Sequence, residues 1–549
     1  MESENEKFKN NPLENARRTA EFWRRASGVY MAYKGAQVRA AYLKRRGWDA
    51  QQLKEEHWQP HHSWAGKEFY SMAVDLRGFY LKLGQFFAAR AEFVPEPICR
   101  HLALLHDRVP PMPAQQARSV IEEELGGVPL EEVFEWIDLE QPLGSASIAQ
   151  VHKAKLRQPS RRRKRRTFGG EVFNWRLSAK AQRRDDCSWR IATGQEVFLE
   201  PSRSPQPSLD ESGNTEHTAS DVLDASVSGR DRLAEIRETL LRAAEARDGP
   251  KDGIVAVKVQ YPDAQQTMMT DLTSIRRWAG FLQKTEIKFD MLSAVDELSK
   301  QVVLEFDFRR EARVMDAVAE NLKGLRKRLE IPRSLPGLVT KRLLVMNFIE
   351  GDQITRLAHR TQGLSQRKKK AAAARIMERV AEAFGVMMLE TGLFQADAHP
   401  GNILVMKGAR IGLIDYGQSK QLPEAERLAF AALLLELGRE RRDVRPADMA
   451  RCLADLGLRF ERSDNEALMT KMAFGMFDTR TSHRVDPFSP DSPIKSLGIS
   501  HFPPDVFFVL RVMQLLRGLA GGLGVDFSAA KQWAPLARRA LRRAGRNPA

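Results

Sequence analysis

Apolar residues change their spacing several times along this chain, and each change marks an element. Residues 14–125 read as helical: in LRGFYLKLGQFFAAR, Phe79, Leu83, Phe86 and Phe87 recur near an i, i+4, i+7 pattern. Pro95, Pro97, Pro110, Pro111 and Pro113 punctuate the next stretch, and Ala114–Leu125 predicts another helix closed by Gly126–Gly127. EEVFEWID and SIAQVHKAKL alternate apolar and polar positions, as strands do. From Arg157 to Pro250 the pattern gives way to Arg, Ser, Gly and Asp, beginning with RRRKRR at Arg161–Arg166, which predicts a largely disordered insert. The end of that insert, Arg230–Ala246, predicts a short helix through Leu233, Ile236, Leu240 and Leu241. Strand patterning resumes in GIVAVKVQY. Met291–Ala312 predicts one helix carrying Leu292, Val295, Leu298, Val302 and Phe306, and LLVMNFIEG a strand ending at Gly351. Beyond it the chain reads as helical, broken by FQADAHPGNILV and ARIGLIDYGQS. FFVLRVMQLLRGLAGGLGV, near the C-terminus, is interrupted by Arg511 and Arg517 and reads as a buried helix rather than a membrane span.

A strand-rich portion followed by a larger helical one predicts an α+β, bilobal architecture. The expected divisions are a helical extension (1–125), an N-lobe (126–350, with the insert at 157–250) and a helical C-lobe (351–549). Composition narrows the partners. Lys and Arg number 87 against 71 Asp and Glu, a formal net charge of +16. That favours nucleotide phosphates, acidic lipid surfaces or nucleic acid without choosing among them. Cys99, Cys187 and Cys452 are dispersed, with no pair or ligand spacing, so neither a disulfide framework nor a zinc site is expected and a reducing compartment is. The opening MESENEKFKNNPLEN is acidic and polar, unlike a secretory signal or a mitochondrial presequence.

Three segments carry candidate chemistry. Lys258 sits inside an apolar strand, where an ammonium is costly unless paired. Alone it reads equally well as a strand-end lysine reaching solvent. In a kinase such a lysine binds the α/β-phosphates and pairs with a helical carboxylate. VVLEFDFRREA offers Glu305, Asp307 and Glu311, and Glu305, set among apolar residues, is the expected partner. In QADAHPGNILV, Asp397 precedes Asn402 by the spacing of a kinase catalytic loop, where the Asp orients the acceptor and the Asn holds Mg²⁺. By itself that segment would read as a surface turn. In IGLIDYGQS, Asp415 precedes Tyr416–Gly417 like the metal-chelating Asp of Asp-Phe-Gly. Asn402 and Asp415 are hard oxygen donors suited to Mg²⁺. The phosphate-covering glycine-rich loop is replaced by PLGSASIAQVH, where Gly144, Ser145, Ala146 and Ser147 are small enough for backbone N–H groups to approach phosphates.

In combination these segments resemble the UbiB/AarF/ADCK family of atypical kinases. LKLGQ supplies its K-x-G-Q motif as Lys82, Gly84 and Gln85; PLGSASIAQVH resembles its alanine-rich loop; EFDFRREA its E-x-D-x-x-x-E-A helix; DAHPGN and DYG its metal-binding elements. The resemblance covers roughly 69–422 apart from the insert. It implies a protein-kinase-like core whose N-terminal extension lies over the active site, with Lys82 and Gln85 beside the nucleotide near Glu305. It implies ATP or ADP bound with Mg²⁺, ATPase-like turnover rather than protein phosphorylation, and a link to quinone or isoprenoid-lipid biology in bacteria, mitochondria or plastids. Met346 and Phe348, in the hinge-like MNFIEG, would face the adenine. Gly144 and Ser145 depart from the family's alanines, Asn347 from its frequent Glu, Tyr416 from its Phe, and the insert is unusually long. The expected partners are nucleotide and, beside it, an anionic membrane surface or a prenyl lipid; nucleic acid is not expected and no protein partner is specified. Two readings without catalysis stand beside the enzyme: a nucleotide-gated pseudokinase scaffold and a membrane-associated lipid adaptor.

Overall fold

β-branched alternation in IVAVKVQ builds the strand at the centre of the smaller lobe. The computed structural model describes residues 12–88, 94–106, 111–158, 229–246, 248–286, 291–357, 363, 365–396, 399–462, 464–480 and 496–546. Most of the expected insert, including Arg161–Arg166, lies outside these residues, as does Asp397.

The strands that matter here are β1 (Phe134–Ile137), β2 (Gly144–Ser145), β3 (Ala149–Leu156), β4 (Ile254–Gln260), β5 (Leu329–Glu330), β6 (Ser334–Val339), β7 (Leu343–Asn347), β8 (Asp352–Gln353), β9 (Leu393–Gln395), β10 (Ile403–Val405), β11 (Ile411–Leu413) and β12 (Ser419–Gln421). The helices are α1 (Pro12–Arg45), α2 (Gln59–Leu76), α3 (Gly78–Ala88), α4 (Glu96–Leu102), α5 (Ala114–Glu124), α6 (Gly229–Glu245), α7 (Ala264–Thr285), α8 (Met291–Glu305), α9 (Phe308–Asn321), α10 (Gln366–Val386), α11 (Glu424–Gly438), α12 (Pro446–Asp455), α13 (Glu466–Phe477), α14 (Pro504–Leu523) and α15 (Ala529–Arg543).

The N-lobe sheet runs β1–β3–β4–β7–β6 with β2 on the edge of β3, every pair antiparallel. Alternation along β4 splits its residues between two cores. Val255, Val257 and Val259 pack against Val120 and Ile121 of α5 and Ile236 and Leu240 of α6. Ala256 belongs to the main core beneath, so Lys258, two residues on, looks toward the C-lobe. The short helix expected at the end of the insert is therefore present as α6 and covers the sheet. α5 ends where Gly126 and Gly127 turn to positive φ and donate to the carbonyls of Glu123 and Glu122.

The C-lobe is helical, with two small sheets, β5–β11–β10–β8 and β12–β9, at its upper surface. α14 is long and apolar enough to cross a membrane by composition. Most of it, from Val506 to Ala520, is buried, against α10 and α13 among others.

The extension folds back over the core. α1 packs on α2 and α7, and α3 on α7, α2 and α4. Asp271 of α7, 2% exposed, ties these helices together: it accepts two hydrogen bonds from Arg18 (2.9 and 3.1 Å) and one from the Phe79 N–H at the start of α3 (3.2 Å). Burial, against the pull of Arg18, pushes the Asp271 carboxyl up to about 6. The α2–α3 joint is strained, because Arg77 takes φ 54°, ψ −147° and Gly78 also has positive φ.

The single helix expected over Met291–Ala312 is two. α8 stops at Glu305, and α9 restarts after Asp307, whose extended backbone (φ −116°, ψ 96°) and carboxylate cap the Arg309 N–H. An Asp in this geometry competes with helix continuation by satisfying the first free N–H groups of the next helix.

Candidate functional site

β4 carries Lys258 between Val151 of β3 and Leu344 of β7, which fixes its backbone on both sides. The side chain is 7% exposed. Its ammonium donates to Glu311 Oε1 at 2.7 Å and to Asp415 Oδ1 at 3.4 Å, and it lies 5.2 Å from the Phe308 ring centroid. Burial disfavours the charged form, but Asp415 and Glu311 outweigh it and raise the lysine pKa above its ordinary value. The ammonium is thus held protonated.

The geometry corrects the expectation that Glu305 is the partner of Lys258. Because the helix breaks at Phe306–Asp307, Glu311 in the first turn of α9 reaches Lys258, while Glu305 at the end of α8 faces the extension. There Glu305 accepts from Lys82 of α3 at 3.0 Å and from Gln418 Nε2 at 2.7 Å. Lys82 and Glu305 are each 7% exposed. Gly84 lets α3 pack closely on the segment after α4: a Cβ there would come 2.5 Å from Leu105 Cδ1. Gln85 donates to the Leu105 carbonyl at 3.1 Å, locking the helix to the segment after α4.

Asp415 follows β11 with φ 69°, a strained value for a non-glycine residue. Buried Gln395 of β9 holds it there by donating to the carbonyls of Ile414 (2.8 Å) and Asp415 (2.6 Å). The Gly417 N–H donates to Asp415 Oδ1 at 3.1 Å, and Arg310 secures the following turn through the Gly417 and Ser419 carbonyls. The turn after β9 places Asn402 and His399 in the same pocket wall, with His399 Nδ1 accepting from Gly401 N–H at 3.0 Å. The Asn402 carbonyl accepts from Ile414 N–H, joining this turn to the Asp415 segment.

Around these side chains lies a pocket with about 650 Å³ of free space, part of it open to solvent. Lys82, Gln85, Lys258, Glu305, Asn402 and Asp415 all line it. Of the loop residues, Ala146 and Ser147 form its roof. Gly144 and Ser145 instead pair with Val151 and Gln150 in β2. Met346 pairs with Ala256 and is buried. Phe348 lines a separate hollow, with the Lys153 ammonium 4.4 Å from its ring centroid. Neither hinge residue borders the Lys258 pocket. Glu311, Gln395, His399 and Gln418 are the site residues that motif reading did not select. Glu311 stood among the carboxylate candidates, and Gln418 directly follows Asp-Tyr-Gly.

The donor set fits a hard cation beside phosphates. Glu311 Oε2 is buried and accepts no hydrogen bond among the described residues, and a Cβ on Gly417 would sit 3.3 Å from Asp415 Oδ1 and 3.4 Å from Glu311 Oε2. Gly417 thus keeps a small oxygen-lined space clear. Among the described residues no group of three or more His, Cys, Asp or Glu could hold a metal by itself. Mg²⁺ is usually held by one or two protein oxygens with water and phosphate completing the shell, and Asn402 and Asp415 bring such oxygens to the pocket wall.

Comparison with known proteins bears on this geometry. The model of the ABC1 atypical kinase-like domain matches residues 104–161 and 243–444, the strand lobe, both helices of the carboxylate pairs and the Asn402 and Asp415 segments. The chain belongs to the UbiB/AarF/ADCK family. AarF domain-containing protein kinase 1 of Gallus gallus is 25% identical over 366 residues, 66% of this chain and 51% of that protein. Protein ACTIVITY OF BC1 COMPLEX KINASE 8, chloroplastic, of Arabidopsis thaliana is 25% identical over 345 residues, 62% of this chain and 32% of that protein. The chain spans about half the length of the first relative and a third of the second. Among solved structures, the complex of Rv3197 with erythromycin from Mycobacterium tuberculosis aligns over 89% of this chain and 98% of that one, at 19% identity and a TM-score of 0.47. As a UbiB/AarF/ADCK protein the chain has the protein-kinase-like fold that its lobes display, with the helical extension laid over the pocket.

Proposed function

We propose that this UbiB/AarF/ADCK protein is an atypical kinase or ATPase that binds ATP with Mg²⁺ and transfers its γ-phosphoryl group to an acceptor hydroxyl or to water. The observation that carries the reading is a strand lysine fixed by Glu311 and Asp415 at the wall of a pocket that Asn402 also lines. Lys258 would bind the α/β-phosphates, with Glu311 holding its ammonium in place. The backbone of Ala146 and Ser147 would cover the phosphates. Asn402 and Asp415 would hold Mg²⁺, which when bound offsets the charge of the phosphate oxygens. Asp397, by its spacing from Asn402, would orient the acceptor. Lys82, Gln85 and Glu305 would line the nucleotide from the extension side. Transfer leaves ADP and a phosphorylated acceptor, or ADP and phosphate when water is the acceptor.

A second reading, nucleotide binding that gates a scaffold without turnover, draws support from the Lys82–Glu305–Gln418 network, which fills one side of the pocket with side chains of the protein itself. Quinone or isoprenoid-lipid metabolism is the biological setting that family resemblance suggests, with a prenyl lipid as acceptor or ligand and an organelle as a compatible location. Mg²⁺-dependent ADP release tests the proposal, measured on the wild type and Asp415→Asn with and without a phenolic quinone-precursor mimic. The enzyme reading expects turnover that the variant loses. No turnover together with tight Mg²⁺–nucleotide binding would transfer support to the scaffold.

A further inference from the structure

A second hollow lies where the lobes meet, with about 940 Å³ of free space, part of it open to solvent. The N-lobe supplies Lys153 of β3 and Lys251 just before β4, and the hinge-like segment after β7 supplies Phe348. The C-lobe supplies Met406, Lys407 and Arg410 at the turn between β10 and β11. No residue of this hollow borders the Lys258 pocket.

Its charges are unevenly compensated. Arg410 and Lys251 share one carboxylate, Glu330, at 2.7 and 3.5 Å. Lys153 and Lys407 have no carboxylate partner among the described residues. Asp252 and Glu350 also border the hollow, but among the described residues neither forms an ion pair with its cations. Even with Glu330 counted, positive charge is in excess.

The two unpaired lysines stand on fixed backbones. Lys153 pairs with Ala256 in the sheet, and its ammonium lies 4.4 Å from the Phe348 ring centroid. A ring face eases the charge but leaves the N–H donors to be satisfied elsewhere. The turn carrying Lys407 is closed by Met406 N–H donating to the Arg410 carbonyl (2.8 Å), and Arg379 of α10 donates to the Gly408 carbonyl (2.9 Å). Cations placed in advance lower the ordering cost of binding an anion.

The ligand's chemistry follows. Lysine ammonium groups are compact charges suited to phosphate oxygens. A doubly charged phosphate monoester answers both unpaired lysines, whereas a monocarboxylate carries charge for one. Phe348, Ile254 and Met406 add an apolar wall that a bare inorganic ion would leave unused. We propose that this hollow binds a small organic phosphate, its phosphate on Lys153 and Lys407 and its organic part against Phe348. Such a ligand would tie the N-lobe to the C-lobe across the hinge. The inference does not depend on nucleotide binding at Lys258.

Calorimetric titration of the full chain with phenyl phosphate and with inorganic phosphate, both without Mg²⁺ and nucleotide, tests it. The variants are Lys407→Glu, on an exposed turn where melting temperature should match the wild type, and the double variant Lys153→Gln with Lys407→Gln. The wild type should bind phenyl phosphate at one site and more tightly than inorganic phosphate. Affinity for phenyl phosphate should fall at least about fivefold in Lys407→Glu and about tenfold in the double variant. Failure of the wild type to bind phenyl phosphate overturns the proposal. So does wild-type affinity in folded Lys407→Glu, which would place the phosphate elsewhere, at Lys258 for instance. Equal affinity for inorganic and phenyl phosphate would also overturn it, leaving an adventitious anion site with no use for the apolar wall.

Discussion

Two lysine–glutamate pairs meet in one pocket, and they are held in different ways. Lys258 and Glu311 both belong to the kinase-like core, and strand pairing on either side of β4 fixes the lysine. Lys82 and Glu305 join the core to the extension, and Lys82 stands on a helix held by side chains: Asp271 with Arg18, Gln85 with Leu105, and the close fit at Gly84. Equal burial therefore conceals unequal dependence. The first pair is part of the machinery that would hold phosphates, whereas the second depends on how the extension sits.

Lys258→Met should separate the pairs most sharply. It leaves Glu311 and Asp415 together without a cation, a loss on the order of 3–5 kcal/mol for a broken buried pair. Nucleotide-induced thermal stabilisation should vanish, and turnover should fall on the order of 10²–10³-fold. Lys82→Met breaks the other pair and should cost less, about 2–3 kcal/mol, because Gln418 still donates to Glu305. Its nucleotide-induced shift in melting temperature should persist. Equal loss of nucleotide response in both variants would erase the distinction.

The extension's anchor adds a pH test. Burial raises Asp271 above its unfolded value, so the folded chain takes up this proton first as pH falls. Between pH 7 and about 4 the wild type should gain up to about 3 kcal/mol relative to Asp271→Asn, read as converging or crossing melting temperatures. Parallel profiles would show that this carboxylate is not the strained anchor described. Gly84→Ala should have the smallest effect, about 1–3 kcal/mol of overpacking against Leu105. That cost should appear as weaker protection of α3 from hydrogen exchange, with β4 unaffected.

Much of the pocket was legible in the sequence because its residues sit where periodicity is strict. Lys258 interrupts an alternating strand, Asn402 opens one short apolar run and Asp415 closes another; the pocket receives all three. The pairing of carboxylates was not legible. Glu305 and Glu311 both follow apolar helical spacing, and only the backbone of Asp307 reveals that the helix restarts between them. An Asp within a helical run was the available signal, since it serves an N-cap better than a helix interior. Gln395 and Gln418 carry no motif; their roles arise from carbonyls and carboxylates that the fold brings to them. The small residues of PLGSASIAQVH signalled a close backbone approach. Which of them edge the sheet and which roof the pocket depends on the β2–β3 register, which composition does not encode.

Equilibrium titration of ATP with and without Mg²⁺, on the wild type, Lys258→Met and Asp415→Asn, tests the central claim most directly. The account predicts Mg²⁺-dependent binding by the wild type, weak binding by Lys258→Met in either condition, and binding by Asp415→Asn that no longer responds to Mg²⁺. Wild-type affinity in both variants would contradict it, because the pocket between Lys258 and Asp415 would then not be where the nucleotide and its metal sit.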